Sequence, residues 1–160
     1  MRIFFEPLPD GYFHAINREE VEAYLTAIDP AILARVRQIT FKGNLSTTGE
    51  GRIIQRGDCC EINVNFFVDS KIRTRIVSKD KSWLVPVRLC GGDISSKDPY
   101  VIWDRKGAMK YAMFLIFHEI AHIAYSLHID AGGNIKGFKS SVGEERWCDR
   151  YALDMLAKMP

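Results

Sequence analysis

The chain has 160 residues, of which 47% are hydrophobic and 26% charged, and its formal net charge at pH 7 is +2. That length suffices for one domain with a proper core, and the composition is ordinary for a soluble globular protein. So small a charge argues against nucleic acid or a membrane surface as the partner.

The opening stretch MRIFFEPLPD is broken by Pro7 and Pro9 before a signal-peptide core can form. No uncharged apolar run reaches the roughly 18 residues of a membrane span. The cysteines, Cys59, Cys60, Cys90 and Cys148, include no C-x-x-C pair. In a strand, adjacent Cys59 and Cys60 point to opposite faces, which makes them poor candidates to bridge each other. They read as reduced thiols in a cytoplasmic protein, not as a zinc site.

In chain order, a first strand is predicted at 2–5 and a second near 12–16. Asn17 caps a helix over REEVEAYLTAI, with acidic residues in its first turn. Asp29-Pro30 opens a second helix, AILARVRQI, with proline where its missing N–H does no harm. GNLSTTGEG (43–51) is a loop by composition. Strands follow at 52–55 and 59–68, joined by a turn at Gly57-Asp58. In the second, Ile62, Val64 and Phe66 alternate with Glu61, Asn63 and Asn65, so one face meets the core and the other solvent.

The basic run Lys71, Arg73, Arg75, Lys79 and Lys81 reads as a solvated strand face. Residues 82–90 are expected to form a strand, Gly91-Gly92 a turn, and 100–103 a short extended piece. Asp104 caps a long helix over 105–127, residues 128–143 form a loop, and a last helix spans 144–158. The predicted class is α+β in one domain, residues 1–160, with no internal repeat. A small, mostly antiparallel sheet packs on a buried active-site helix, with additional helices towards the N-terminus. Residues 1–100 supply those helices and the sheet, and 104–160 the metal-binding helices.

The stretch HEIAH (118–122) carries the chemistry. At about 100° per helical residue, His118 and His122 share one face, one turn apart, as two ligands of a single Zn²⁺ would. Glu119 sits on the flank of that face, within reach of a metal-bound water as a general base. The flanking run YAMFLIFHEIAHIAYSL is nearly all apolar, so three ionisable groups are buried there, at a cost that a metal ion relieves.

A catalytic zinc site has three protein ligands and an open position. Glu145, in EERWCD, is one candidate for the third, and Asp149, four residues on, shares its helix face. From there Asp149 can hydrogen-bond the far nitrogen of a ligating histidine. His128 is the other candidate, since H118-E-x-x-H122-x5-H128 has the spacing of H-E-x-x-H-x-x-G-x-x-H metalloproteases. That pattern needs a glycine where this chain has Tyr125, which argues for a helix running past Tyr125. Glu144 is a third possibility.

HEIAH followed by E-x-x-x-D resembles the gluzincin zinc peptidases. EERWCDRYALDML is similar to the E-x-x-A-[ND]-x-[FY]-A-x-x-L-L signature of the ImmA/IrrE-like metallopeptidases, with Cys148 at the usual alanine. The resemblance covers about the last fifty residues. It implies a zincin-like fold, ligands His118, His122 and Glu145, base Glu119, and Asp149 behind a ligating histidine. It also implies a cytosolic peptidase, of a kind that cleaves regulatory proteins such as repressors.

The expected activity is peptide-bond hydrolysis with one Zn²⁺, on a protein or peptide lying along a sheet edge, with the 59–68 strand as the expected edge. Tyr125, His128, Tyr151 and Arg146 are candidates to stabilise the oxyanion. Two alternatives remain. H-x3-H-x5-H also resembles the metal-dependent endoribonucleases of ribosomal RNA maturation, through His118, His122 and His128. The other alternative is a non-catalytic binding module stabilised by zinc, closed by four protein ligands.

Overall fold

RIFF forms strand β1 (Arg2–Phe5), as predicted. This computed structural model describes residues 1–46, 48–75, 83–94, 100–129 and 141–159, with 128 and 129 as backbone alone. The second strand is shorter than expected, β2 (Tyr12–Phe13). Asn17 then opens helix α1 (Arg18–Leu25): its side chain accepts the Glu20 N–H at 2.8 Å, and the Glu20 carboxylate accepts the Asn17 N–H at 2.9 Å. This reciprocal cap satisfies two donors that a first helical turn leaves open.

Helix α2 (Pro30–Leu33) starts on the Asp29 cap but lasts one turn. The helix expected through Ile39 gives way to strand β3 (Val36–Phe41). Val36, Ile39 and Phe41 are buried there between two strands. Tertiary pairing of β-branched and aromatic residues outweighs a weak helical preference.

Strands β4 (Glu50–Arg56) and β5 (Cys59–Asn65) make the predicted hairpin, with Gly57 in the left-handed region at φ 62°. β4 takes in Glu50 and Gly51, which read as loop in the sequence. Ile62 and Val64 of β5, and Phe66 just past its end, are buried as expected, and Cys60 and Asn65 are buried too. The Asn65 amide donates to the Asn44 carbonyl at 2.6 Å and accepts the Asn44 N–H at 3.0 Å, which anchors the loop before β4.

The strand order is β1-β3-β5-β4. The first two pairings are parallel and only β5–β4 is antiparallel, so the sheet is mixed, not mostly antiparallel as expected. α1 and α2 form a crossover that makes β1 and β3 parallel. The chain then leaves one strand position vacant, which β5 fills on its return from β4. The edge beside the long helix is therefore β4, and the strand expected at that edge lies inside.

Beyond the sheet, β6 (Val68–Asp69) pairs with β2. β7 (Arg73–Arg75) takes in Arg73 and Arg75 of the basic run, Lys71 lies in the turn before it, and Lys79 and Lys81 lie outside the described residues. The segment expected to form a strand up to Cys90 is helix α3 (Leu84–Leu89), with Ser82 outside the described residues. Gly91-Gly92 is its stop: the Gly92 N–H bonds the Val87 carbonyl at 2.9 Å and the Gly91 N–H the Arg88 carbonyl at 3.0 Å. Those two bonds, with Gly91 at φ 91°, are a Schellman cap. β8 (Tyr100–Ile102) then pairs antiparallel with β7.

Asp104 caps α4 (Arg105–Ile129), its side chain accepting the Gly107 N–H at 2.6 Å. α4 packs against β4 and β5 on one side and α5 (Val142–Ala157) on another, so its apolar residues are buried nearly all round. It runs past Tyr125 to Ile129, taking the first two residues of the expected loop; 130–140 lie outside the described residues. Ser141 caps α5, accepting the Glu144 N–H at 3.2 Å. The cysteines are free thiols, and no helix among the described residues is long and apolar enough to cross a membrane.

Candidate metal centre

The fourth and fifth helices meet across the HEIAH turn. His118 and His122 lie one turn apart on α4, their rings edge-to-face with centroids 5.1 Å apart. α5 faces them with Cys148, Ala152 and Met155 packed inward, and its first turns bring up three carboxylates. Glu145 is the central one: Oε2 lies 3.1 Å from His118 Nε2, and Oε1 lies 3.7 Å from His122 Nε2. The other two hold the far sides of the rings. Asp149 Oδ1 is 2.9 Å from His118 Nδ1, and Glu144 Oε1 is 2.8 Å from His122 Nδ1.

Where each Nδ1–H donates to its carboxylate and the ring is neutral, each Nε2 presents a lone pair towards Glu145. Lone pairs on nitrogen and on carboxylate oxygen repel unless a positive charge lies among them. Ligand atoms of His118, His122 and Glu145 all lie within 4.8 Å of one another. Two imidazole nitrogens and one carboxylate oxygen make a donor set that suits Zn²⁺, so the residues fit such an ion.

The carboxylates around these rings favour positive charge in the site. Burial opposes charge on His118, but the Asp149 hydrogen bond and the charges of Glu119, Asp149 and Glu145 outweigh it, and its pKa rises above the ordinary imidazole value. Glu119 is 7% exposed. Burial lifts its pKa above the usual carboxylate range, against the pull of His118, His122 and a hydrogen bond from the Ile53 N–H.

That bond and one glycine tie the helix to β4. A Cβ on Gly51 would sit 2.6 Å from Glu119 Oε1, so the carboxylate occupies the space a side chain would need. The open cleft beside these groups, about 340 Å³, is lined by Gly51, Arg52, Ile53, His118, Glu119, His122 and Glu145. A larger cavity of about 470 Å³ beside His14 gathers no comparable cluster among the described residues.

The expected ligand set His118, His122 and Glu145 is thus brought together, with Glu119 adjacent and Asp149 on the far nitrogen of His118. Glu144, weighed above as a ligand, instead bonds Nδ1 of His122. The side chain of His128 lies outside the described residues. Tyr125 and Tyr151 both pack on Trp147, at 5.4 and 5.5 Å between centroids, and do not line the cleft. Arg146 is exposed and also absent from its lining; Arg52 is the cation there. Sequence reasoning missed Gly51, the Ile53 N–H and Arg52, because the signal that links β4 to α4 is a tertiary one. Glu144 did leave a signal: it is four residues before Cys148, on the face next to that of Glu145 and Asp149. No protein-family model, curated protein or solved structure matches this chain.

Proposed function

We infer that the chain is a zinc-dependent peptidase of zincin-like fold, with His118, His122 and Glu145 holding one Zn²⁺ and Glu119 as general base. The observation that carries this reading is the Glu145 carboxylate facing both Nε2 atoms while Asp149 and Glu144 hold both Nδ1 atoms. When bound, the ion supplies a Lewis acid and a water acidified towards neutrality.

The residues of the chain do the rest. Glu119 takes the water proton on its carboxylate as the hydroxide oxygen adds to the peptide carbonyl. Its raised pKa suits that task, and the Ile53 N–H keeps it aimed. The same proton passes to the amine nitrogen as the C–N bond breaks. Asp149 and Glu144 keep the imidazoles in the tautomer that presents Nε2. Arg52, which lines the cleft, is a cation that can steady a developing oxyanion. The outer edge of β4 offers backbone groups to which an extended peptide can pair as an added strand.

Together with the resemblance of EERWCDRYALDML, this makes a regulatory protein such as a repressor the leading substrate class. The test compares wild type with Glu119→Gln after zinc loading, reading bound metal and cleavage of a peptide library by mass spectrometry. The expected result is one zinc per chain in both and cleavage by the wild type alone. Equal turnover by the two would remove Glu119 from its role.

A further inference from the structure

Glu119 meets β4 at Gly51, where a Cβ would sit 2.6 Å from its Oε1, and at the Ile53 N–H, which it accepts. A second contact joins the same two elements upstream: the Tyr111 hydroxyl of α4 donates to the carbonyl of Gly49, the residue before β4, at 3.3 Å. The eight residues from Tyr111 to Glu119 advance about 12 Å along the helix. The four from Gly49 to Ile53 advance about 13 Å along the strand. Strand and helix therefore run in step between the two contacts, and a shift at Gly49 carries through to Gly51 and Ile53.

Both partners of the upstream contact are held from behind. Gly49 has φ 95°, a left-handed conformation open to glycine, and its N–H donates to the Asn65 carbonyl at 2.6 Å. It is thus tied to β5 through its nitrogen and to α4 through its carbonyl. The Tyr111 ring is buried, stacked on Trp103 at 5.1 Å and on Phe114 at 6.0 Å between centroids, and Phe114 in turn lies 6.0 Å from the His118 ring. Burial lifts the phenol pKa well above its ordinary value, so the group stays a neutral donor. Phenylalanine would serve the packing as well; what the hydroxyl adds is the bond to the strand.

We propose that Tyr111 is a positioning residue for the reaction: by clamping Gly49 it sets β4 against α4, so that Gly51 and Ile53 hold the Glu119 carboxylate in place. The assignment rests on the peptidase reading, and its test separates the two. Tyr111→Phe deletes the bond and keeps the ring. Tyr111→4-fluorophenylalanine, which fills the hydroxyl's space without donating, replaces it should the first variant fail to fold. Misplacing a catalytic group by about 1 Å can cost about 10²-fold, so kcat per zinc-loaded chain is expected to fall about 10- to 100-fold, with KM and zinc stoichiometry unchanged. In a Gly51→Ala background, where the base is already displaced, the same change is expected to cost at most about threefold. The Ile53 amide proton, followed by NMR in the zinc-loaded protein, is expected to move in the direction that Glu119→Gln moves it. Tyr111→4-aminophenylalanine, which donates again, is expected to restore both kcat and that signal. A role in packing alone would lower Tm and leave kcat and the Ile53 signal at their wild-type values; that result overturns the proposal and leaves the peptidase reading standing. Fully additive losses in the double variant overturn it as well. An Ile53 signal that moves while the wild type cleaves no peptide overturns the peptidase reading, and the positioning role with it.

Discussion

Glu144 Oε1 lies 2.8 Å from Nδ1 of His122, so the second histidine of the motif has a carboxylate of its own. It mirrors the 2.9 Å pair of Asp149 with His118. Removing such a partner typically weakens metal affinity about 10–100-fold. Glu144→Ala is expected to raise the zinc dissociation constant by that factor, and Glu144→Gln, which keeps an acceptor, by less. Competition with a chromophoric chelator measures both, and unchanged affinity in the alanine variant would show that the contact orients nothing.

Gly51 is required by the neighbour it leaves room for. With a Cβ placed 2.6 Å from Glu119 Oε1, Gly51→Ala forces the base to move. Displacing a catalytic group by about 1 Å can cost about 10²-fold in rate. The variant is expected to bind zinc like the wild type and to lose most of its peptidase turnover. Zinc stoichiometry and kcat, measured on one preparation, separate this from a general loss of fold.

Binding of a metal to the folded state alone stabilises that state. At a free zinc concentration of about 1,000 times the dissociation constant the gain is about 4 kcal/mol. For a chain of this size it corresponds to a rise in Tm of about 10 °C. Calorimetry with and without a chelator is expected to show the difference, and His122→Ala is expected to abolish it. A chelator-insensitive Tm in metal-replete wild type would count against the site.

Asp69 sets the acid limb of stability. Burial alone would raise its pKa, but hydrogen bonds from the Arg73 side chain and from the backbone N–H groups of Arg73 and Lys71 outweigh that and hold it below the usual value. The folded state therefore binds the proton more weakly than the unfolded chain. The stabilisation is present above the ordinary aspartate pKa of about 4 and is lost as pH falls through the depressed value. Asp69→Asn is expected to cost about 1 kcal/mol at pH 6, a modest figure for a partly solvated pair. Denaturant unfolding at pH 6 and near pH 2 checks this, since the gap from wild type should narrow at the lower pH.

What the sequence determined by itself is local. The helix face shared by His118 and His122, the Asn17–Glu20 cap and the Asp104 cap depend on residues at most four apart, whose spacing follows from helix geometry. The same holds for the alternation in β5 and for Gly57 in the hairpin turn. Gly91-Gly92 was legible as a break, but whether it ended a strand or a helix depended on what Val87 and Trp103 packed against.

The tertiary structure decided the rest, because those choices balance small local preferences against burial. Val36–Phe41 became a strand once it lay between two others, and β5 went inside once β4 took the edge. The order of strands then put Gly51 and Ile53, not the residues of β5, against Glu119. Glu145 meets His118 across 27 residues of chain, and Asp149 meets it across 31. Spacing could nominate those carboxylates, but only the packing of α5 on α4 gave each a separate atom to hold.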